Sequence, residues 1–136
     1  MGKKKIVVDT NNLISAFGWN GNSRELLRNI IDKEFELFIS KKQIEELKRV
    51  MDYPKLKFNE EQKTRFLEIL FQIANVVNTT LKIDVIKEDI EDNFLLECAL
   101  EINADYIISG DEHLKKLKEY KNIKIVSVNE FLKLEK

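Results

Sequence analysis

Short apolar runs alternate with longer amphipathic segments along the chain of 136 residues. The apolar runs predict buried strands, because they are rich in β-branched residues and are bounded by polar turn residues. The amphipathic segments predict helices, because their apolar residues recur three or four positions apart. The predicted strands lie at 5–9, 35–39, 76–77, 106–108 and 123–126. The predicted helices lie at 23–33, 41–51, 60–74 and 90–102, near Glu112, and after Ser127.

Capping signals mark the starts of several of these helices. A Ser or Asn residue followed three positions later by Glu or Gln is the pattern of a capping box, in which each side chain accepts a hydrogen bond from the other residue's backbone N–H. Four pairs have this pattern, namely Asn22 with Glu25, Ser40 with Gln43, Asn59 with Gln62, and Ser127 with Glu130. Pro54 is expected to end the helix at 41–51.

The alternation of strands and helices predicts the fold class. We expect an α/β protein with a central, mostly parallel sheet in a three-layer α/β/α arrangement, because helices then supply the crossovers between parallel strands. The sequence has no internal repeat, low-complexity segment or Gly/Pro-rich linker. Residues 1–136 are therefore predicted to form a single domain.

Composition excludes several classes of site. One cysteine excludes an intrachain disulfide and a thiolate zinc site, and one histidine excludes multi-histidine metal sites. The net charge of −1 argues only weakly against nucleic-acid binding, because a bound metal can supply positive charge locally. No apolar stretch is long enough to span a bilayer, and no signal-peptide core precedes the first strand, so we expect a cytoplasmic protein.

Two aspartates lie where predicted strands end. Asp9 follows the apolar run 6–8, and Asp111 closely follows the run 106–108. Ligands of open α/β sheets bind at the carboxyl ends of strands, and two carboxylates there would attract a hard cation if the strands are neighbours. Each aspartate also has a structural alternative. Asp9 could satisfy a local turn, and Asp111 could cap the next helix, with Gly110 supplying a tight backbone.

The helix at 90–102 carries a third candidate acid. Asp92 lies three residues before Leu95, which places it at the top of the buried helix face. Glu91 is a rival, because it lies four residues before Leu95. The helix dipole favours an acid in the first turn whatever its function, so the position alone does not assign a role.

Two further candidates are ambiguous from spacing. On the helix at 41–51, Glu46 flanks the core face whereas Glu45 points away from it, and a solvated glutamate is the alternative for Glu46. His113 comes two residues after Asp111 and could contact a substrate phosphate. The favoured interpretation of His113 is a surface residue in the first turn of a helix.

Five segments together resemble a known family. They are residues 7–16, 35–40, 45–50, 92–99 and 104–111. Val-Val-Asp-Thr-Asn in the first and Ile-Ser-Gly-Asp in the last are specific in combination, and the middle segments support them. The chain resembles a PIN domain from Ile6 to Leu134, most strongly the VapC-like branch of toxins from toxin–antitoxin pairs.

The resemblance implies a site of four acids that binds one or two Mg²⁺ or Mn²⁺ ions. Residue by residue, the metal-binding and catalytic acids fall on Asp9, Glu46, Asp92 and Asp111. It is the resemblance that favours Glu46 over Glu45 and Asp92 over Glu91. Polar positions that shape the site or bind substrate fall on Thr10, Asn11 and Ser109. The sequence departs from the family pattern at Asn12 and near Phe94, which affects expected substrate preference more than catalysis.

The implied activity is a Mg²⁺- or Mn²⁺-dependent ribonuclease that cleaves RNA internally. A metal-activated water would attack the phosphodiester and leave a 5′-phosphate and a 3′-hydroxyl. The implied partners are RNA and an antitoxin protein. A homodimer is also expected, because PIN domains commonly pair and because the helices at 41–51 and 60–74 have long apolar faces. On the second helix this face comprises Phe66, Leu67, Leu70, Phe71 and Ile73.

Two other functions remain open. A haloacid-dehalogenase-type phosphatase also begins with a strand-end aspartate, but it needs a second aspartate where this chain has Asn11 and another after its Gly-Asp motif. Residues 112–115 contain no aspartate, which weakens this alternative. A non-catalytic PIN-like module that binds RNA or protein is the other alternative, and the presence of all four acids argues against it.

Overall fold

The computed structural model describes residues 3–18, 22–32, 34–80, 82 and 90–135. Within these ranges the strands are Lys4–Val8 (β1), Phe35–Ser40 (β2), Ala74–Val77 (β3), Tyr106–Ile108 (β4), Glu119–Tyr120 (β5) and Ile123–Val126 (β6). The helices are Thr10–Gly18 (α1), Asn22–Ile31 (α2), Lys41–Met51 (α3), Glu60–Ile73 (α4), Ile90–Ile102 (α5), Glu112–Lys115 (α6) and Val128–Leu134 (α7). A short 3₁₀ helix spans Pro54–Leu56.

The strands form one sheet with the order β3-β2-β1-β4-β6-β5. All neighbouring pairs are parallel except β5 and β6, which are antiparallel. Because β1 lies beside β4, with Val8 opposite Ile108, the two strands that precede Asp9 and Asp111 end at the same edge of the sheet. The predicted α/β fold with a central parallel sheet is confirmed, as is the predicted adjacency of these two strands.

Apolar side chains pack on both faces of this sheet. In β1, Ile6 and Val8 belong to one buried cluster and Val7 to the other, as the alternation of side chains along a strand requires. The first cluster includes residues of α1, α2, α3, α4 and α7, and the second includes residues of α5 and α6. The three-layer arrangement therefore holds, with the sheet in the middle.

Several local predictions are wrong. The sequence pattern predicts neither α1 nor β5. Helix α2 begins at Asn22, and because the Asn22 side chain lies outside the described residues, its capping box with Glu25 stays a prediction. Ser40 does cap α3 by accepting from the backbone N of Gln43. The reciprocal half of that capping box is missing, because the buried Gln43 side chain instead donates from Nε2 to the Val8 carbonyl at 2.6 Å.

The capping boxes of α4 and α7 are confirmed. The predicted apolar face of α4 is only partly correct, since Phe66 and Leu70 are buried whereas Phe71 is 48% exposed. No helix in the described part of the chain combines the length and hydropathy needed to cross a membrane.

Candidate functional site

A cleft of about 530 Å³ opens at the carboxyl ends of β1 and β4. It lies where the first turns of α1 and α5, the middle of α3 and the loop from β4 to α6 converge. Its lining residues are Asp9, Thr10, Asn11, Asn12, Glu46, Val50, Asp92, Leu95, Gly110, Asp111 and Glu112. The fold thus brings together all four acids that the resemblance implies, although they come from four separate parts of the chain.

Asp9 is held at the start of α1. Its Oδ1 accepts from the backbone N of Asn12 at 2.8 Å, which is the bond of an N-cap, and its Oδ2 accepts from Ser109 Oγ at 2.7 Å. Burial raises the pKa of Asp9, and the charge of Asp111 raises it too, while hydrogen bonds from Ser109, Asn12 and Gly110 oppose the rise. Asp9 is therefore a positioned carboxylate whose ionisation is less favourable than that of an aspartate in water.

Ser109 connects the two strand-end aspartates. Its side chain is fully buried, and its Oγ accepts from the backbone N of Asp111 at 3.0 Å while it donates to Asp9. Asp111 Oδ1 caps α6 by accepting from the backbone N of His113 at 2.8 Å and of Leu114 at 3.3 Å. Asp111 therefore caps α6, as the structural alternative proposed, and also lines the cleft.

The backbone around Gly110 is not crowded. A Cβ built at this position would meet nothing within 4 Å, so the structure contradicts the steric reason proposed for this glycine. Gly110 lies at the wall of the cleft, where the lack of a side chain leaves space beside Asp111.

Glu46 faces the cleft from α3. Its carboxylate Oε1 accepts a hydrogen bond from the buried Thr10 Oγ1, which joins α3 to the start of α1. Gln43, one helical turn earlier, joins the same helix to β1 through its bond to Val8. Glu45 is exposed and is not a lining residue of the cleft, so of the two glutamates the structure favours Glu46 for the site.

Asp92 lines the cleft, and His113 lies beside it, next to Asp92 and Asp111. Asp92 is buried in the first turn of α5. Ligand atoms of Asp92, Asp111 and His113 all lie within 4.8 Å of one another. His113 lies in the first turn of α6, as the sequence analysis predicts. Its partly exposed ring lies beside the Asp111 carboxylate. The side chain of the rival Glu91 lies outside the described residues.

One acid in the cleft was missed by sequence reasoning. Glu112 lines the cleft next to Asp111. It lies in the loop-to-helix segment that the Gly-Asp motif introduces, and its position directly after Asp111 was the available signal.

The donor set fits a divalent cation. Oxygen ligands of carboxylates are the preferred partners of Mg²⁺ and Mn²⁺. Burial and the charge of Asp111 both raise the pKa of Asp9, which makes its ionised form less stable. A cation between the acids would stabilise the ionised form.

The PIN domain family pattern matches residues 5–113. The chain belongs to the PIN domain family. This confirms the resemblance and argues against the phosphatase alternative. PIN domains are generally nucleases that use divalent metals, and the cleft of this PIN domain contains the acidic cluster that such use requires.

Solved structures share the fold of this PIN domain. A chain in the crystal structure of VapBC2 from Rickettsia felis bound to a DNA fragment from their promoter is 16% identical, with a TM-score of 0.62 over 89% of this chain and 96% of that chain. PAE2754 from Pyrobaculum aerophilum is 14% identical, also with a TM-score of 0.62, over 97% of this chain and 90% of that chain. A comparison with curated protein sequences finds no match.

Proposed function

We propose that this PIN domain is a Mg²⁺- or Mn²⁺-dependent endoribonuclease and the toxin of a toxin–antitoxin pair. The observation that carries the proposal is that Asp9, Glu46, Asp92 and Asp111 line one cleft at the carboxyl edge of the sheet. A non-catalytic module would have no need to gather four carboxylates there, because their mutual repulsion costs stability when no cation is bound.

The residues of the chain have distinct tasks in this proposal. Asp9, Glu46, Asp92 and Asp111 hold one or two cations. When bound, a divalent cation lowers the pKa of a water and neutralises phosphate charge. Side-chain hydrogen bonds hold two of these acids in place. Ser109 donates to Asp9, and Thr10 donates to Glu46.

Substrate contacts fall to the rim of the cleft. Asn11 is exposed and lines the cleft, so its amide is available to the RNA backbone or bases. Cleavage by activated water needs no nucleophilic serine or cysteine, and the single cysteine is buried away from the cleft in the second core cluster.

The toxin assignment and its partners form the second part of the proposal. The likeness to a chain of the VapBC2 complex supports an antitoxin protein as partner. We propose the cytoplasm as the compartment. Induced expression in a bacterial host is expected to arrest growth, and the Asp111→Asn variant at equal expression is expected to permit it. Arrest by both proteins would contradict the assignment of toxicity to this site.

A homodimer is also proposed. The fold buries Ile44, Leu47 and Met51 of α3, so that helix face needs no second copy. The exposed Phe71 of α4 and Val76 of the edge strand β3 still offer apolar surface. Light scattering at micromolar concentration is expected to show a dimer, and a single species of 16.0 kDa would refute it.

The nuclease proposal is tested by incubating the purified protein with labelled single-stranded RNA. Cleavage is expected in Mn²⁺ or Mg²⁺, with 5′-phosphate and 3′-hydroxyl ends, and none in EDTA. Glu46→Gln should abolish cleavage, whereas the matched control Glu45→Gln, on the exposed side of the same helix, should retain it. Cleavage that survives EDTA or Glu46→Gln would overturn the four-acid mechanism. RNA binding without cleavage in either metal would favour the non-catalytic alternative.

A further inference from the structure

We propose that His113 is a metal ligand of this cleft, so that the centre combines carboxylates with one imidazole and binds Mn²⁺ in preference to Mg²⁺. The inference rests on the proposed function, because it places the cation in the same cleft. It differs from the all-carboxylate site that the family resemblance implies.

Three side chains already have the spacing of a metal site. Asp92, Asp111 and His113 each offer one ligand atom, and these atoms all lie within 4.8 Å of one another. Around an ion with bonds of about 2.1 Å, ligands on opposite sides are separated by about 4.2 Å. Only one pair of the three can be opposite and neighbouring ligands are about 3.0 Å apart, so side-chain movements of up to about 2 Å would bring the three atoms onto one ion.

The position of His113 is fixed by the backbone. Its N–H donates to Asp111 Oδ1 at 2.8 Å, and the next residue, Leu114, is fully buried in the second core cluster. Because its own N–H is bonded and the neighbouring Leu114 is buried, the imidazole ring starts from a defined point beside the Asp111 carboxylate.

The contact between His113 and Asp111 is poorly explained as a direct bond. Nδ1 of His113 lies 3.6 Å from Oδ1 of Asp111, which is too long for a hydrogen bond. The histidine side chain is 39% exposed, so an ion pair at this distance would contribute little. A separation of 3.6 Å exceeds the value of about 3.0 Å expected for neighbouring ligands of one octahedral ion, so the two side chains would move closer by about 0.6 Å when an ion binds.

The donor chemistry gives the metal preference. Mg²⁺ is a hard cation that takes oxygen ligands and retains water, so an imidazole nitrogen adds little to its binding. Mn²⁺ also takes oxygen ligands, but it is the first member of the transition series whose affinity for sites with nitrogen donors rises from Mn²⁺ to Cu²⁺, whereas Mg²⁺ lies outside that series. A site that includes His113 is therefore expected to bind Mn²⁺ more tightly than Mg²⁺.

The test is electron paramagnetic resonance of untagged protein loaded with Mn²⁺. Loss of the free Mn²⁺ signal gives the affinity, and pulsed spectra report nitrogen coupled to the bound ion. His113 is the only histidine of the chain, so imidazole coupling assigns this residue directly. His113→Gln should remove the nitrogen coupling and weaken Mn²⁺ binding by at least about tenfold. Competition by Mg²⁺ should show an almost unchanged Mg²⁺ affinity.

The control variant is Lys115→Gln, which alters an exposed residue of the same short helix. It should keep both the coupling and the affinity. Mn²⁺ binding without nitrogen coupling, with equal affinity in His113→Gln, would overturn the role of His113 and leave the nuclease proposal standing. Failure of the parent to bind Mn²⁺ or Mg²⁺ at all would overturn the metal site and the proposed function together.

Discussion

The Ser109→Ala substitution should destabilise the domain through the charge of Asp9. Ser109 is fully buried and donates to Asp9 Oδ2 at 2.7 Å, so the hydrogen bond is charge-assisted whenever Asp9 is ionised. Hydrogen bonds to charged groups contribute about 1.5–3 kcal/mol to stability. We therefore expect the free energy of unfolding at pH 7 to fall by about that amount.

The pH dependence of this loss identifies its cause. Burial raises the pKa of Asp9 above its usual value of 3.8, so the native state binds the proton more tightly than the unfolded state. Stability therefore falls as pH rises from 3.8 through the native pKa. The bond from Ser109 lowers the Asp9 pKa, so its removal extends this decline to higher pH. The cost of Ser109→Ala should be small where Asp9 is protonated and should grow as Asp9 ionises.

The assay is urea unfolding followed by circular dichroism, in a double-mutant cycle with Asp9→Asn. In the Asp9→Asn background, Ser109→Ala should cost less by about 1 kcal/mol or more, because the charged partner is gone. Ser127→Ala is the matched control, since Ser127 accepts from Glu130 N at 3.2 Å in the distant cap of α7 and should be additive with Asp9→Asn. Equal costs of Ser109→Ala in both backgrounds would refute the reasoning.

Three further predictions concern single residues. Burial, with a smaller effect of the Glu101 charge, raises the pKa of Cys98 to about 12, so the folded protein at pH 8 should resist a thiol reagent that labels it promptly in urea. Rapid labelling of the folded protein would be inconsistent with this. Gly110→Ala should change the free energy of unfolding by less than about 0.5 kcal/mol in urea titrations, because the added Cβ meets nothing within 4 Å. A loss three times larger would show that the glycine is required. Asp9→Asn should raise the melting temperature in EDTA, because it removes a buried charge that faces Asp111, and a fall would indicate that Asp9 is only a cap.

The sheet was predictable because the local sequence of each main strand is typical of a buried strand. The runs at β1, β4 and β6 are short, apolar and β-branched, and burial on both faces demands such residues. The two-residue strand β5 has no such run. It forms through antiparallel pairing of Glu119 and Tyr120 with β6, which is a tertiary contact that no local pattern reports.

Helix α1 was missed for a related reason. Asp9, Thr10 and Asn11 are turn formers, and their local chemistry conceals a helix that begins at Thr10. The same chemistry explains the helix once the structure is known, because the Asp9 side chain accepts from the backbone N of Asn12. A turn aspartate and an N-cap aspartate have the same sequence signature.

The site was predictable only in part from spacing. Strand ends marked Asp9 and Asp111, whereas spacing could not separate Glu46 from Glu45 and needed the family resemblance. The structure adds the partners that spacing cannot supply, such as Thr10 for Glu46. It also places His113, which is still partly exposed, beside Asp92 and Asp111.

The most direct test of the central claim is the rate at which Asp9→Asn cleaves labelled single-stranded RNA in Mn²⁺, relative to the parent protein. A neutral amide oxygen is a poor ligand for a hard cation, so the rate should fall by more than about 100-fold while the folded signal in circular dichroism is retained. The matched control is Asp105→Asn at the opposite end of the same strands, where Asp105 Oδ2 accepts from Lys5 N at 2.9 Å, and this variant should cleave like the parent. Parental cleavage by Asp9→Asn would contradict the account at the acid on which it most depends.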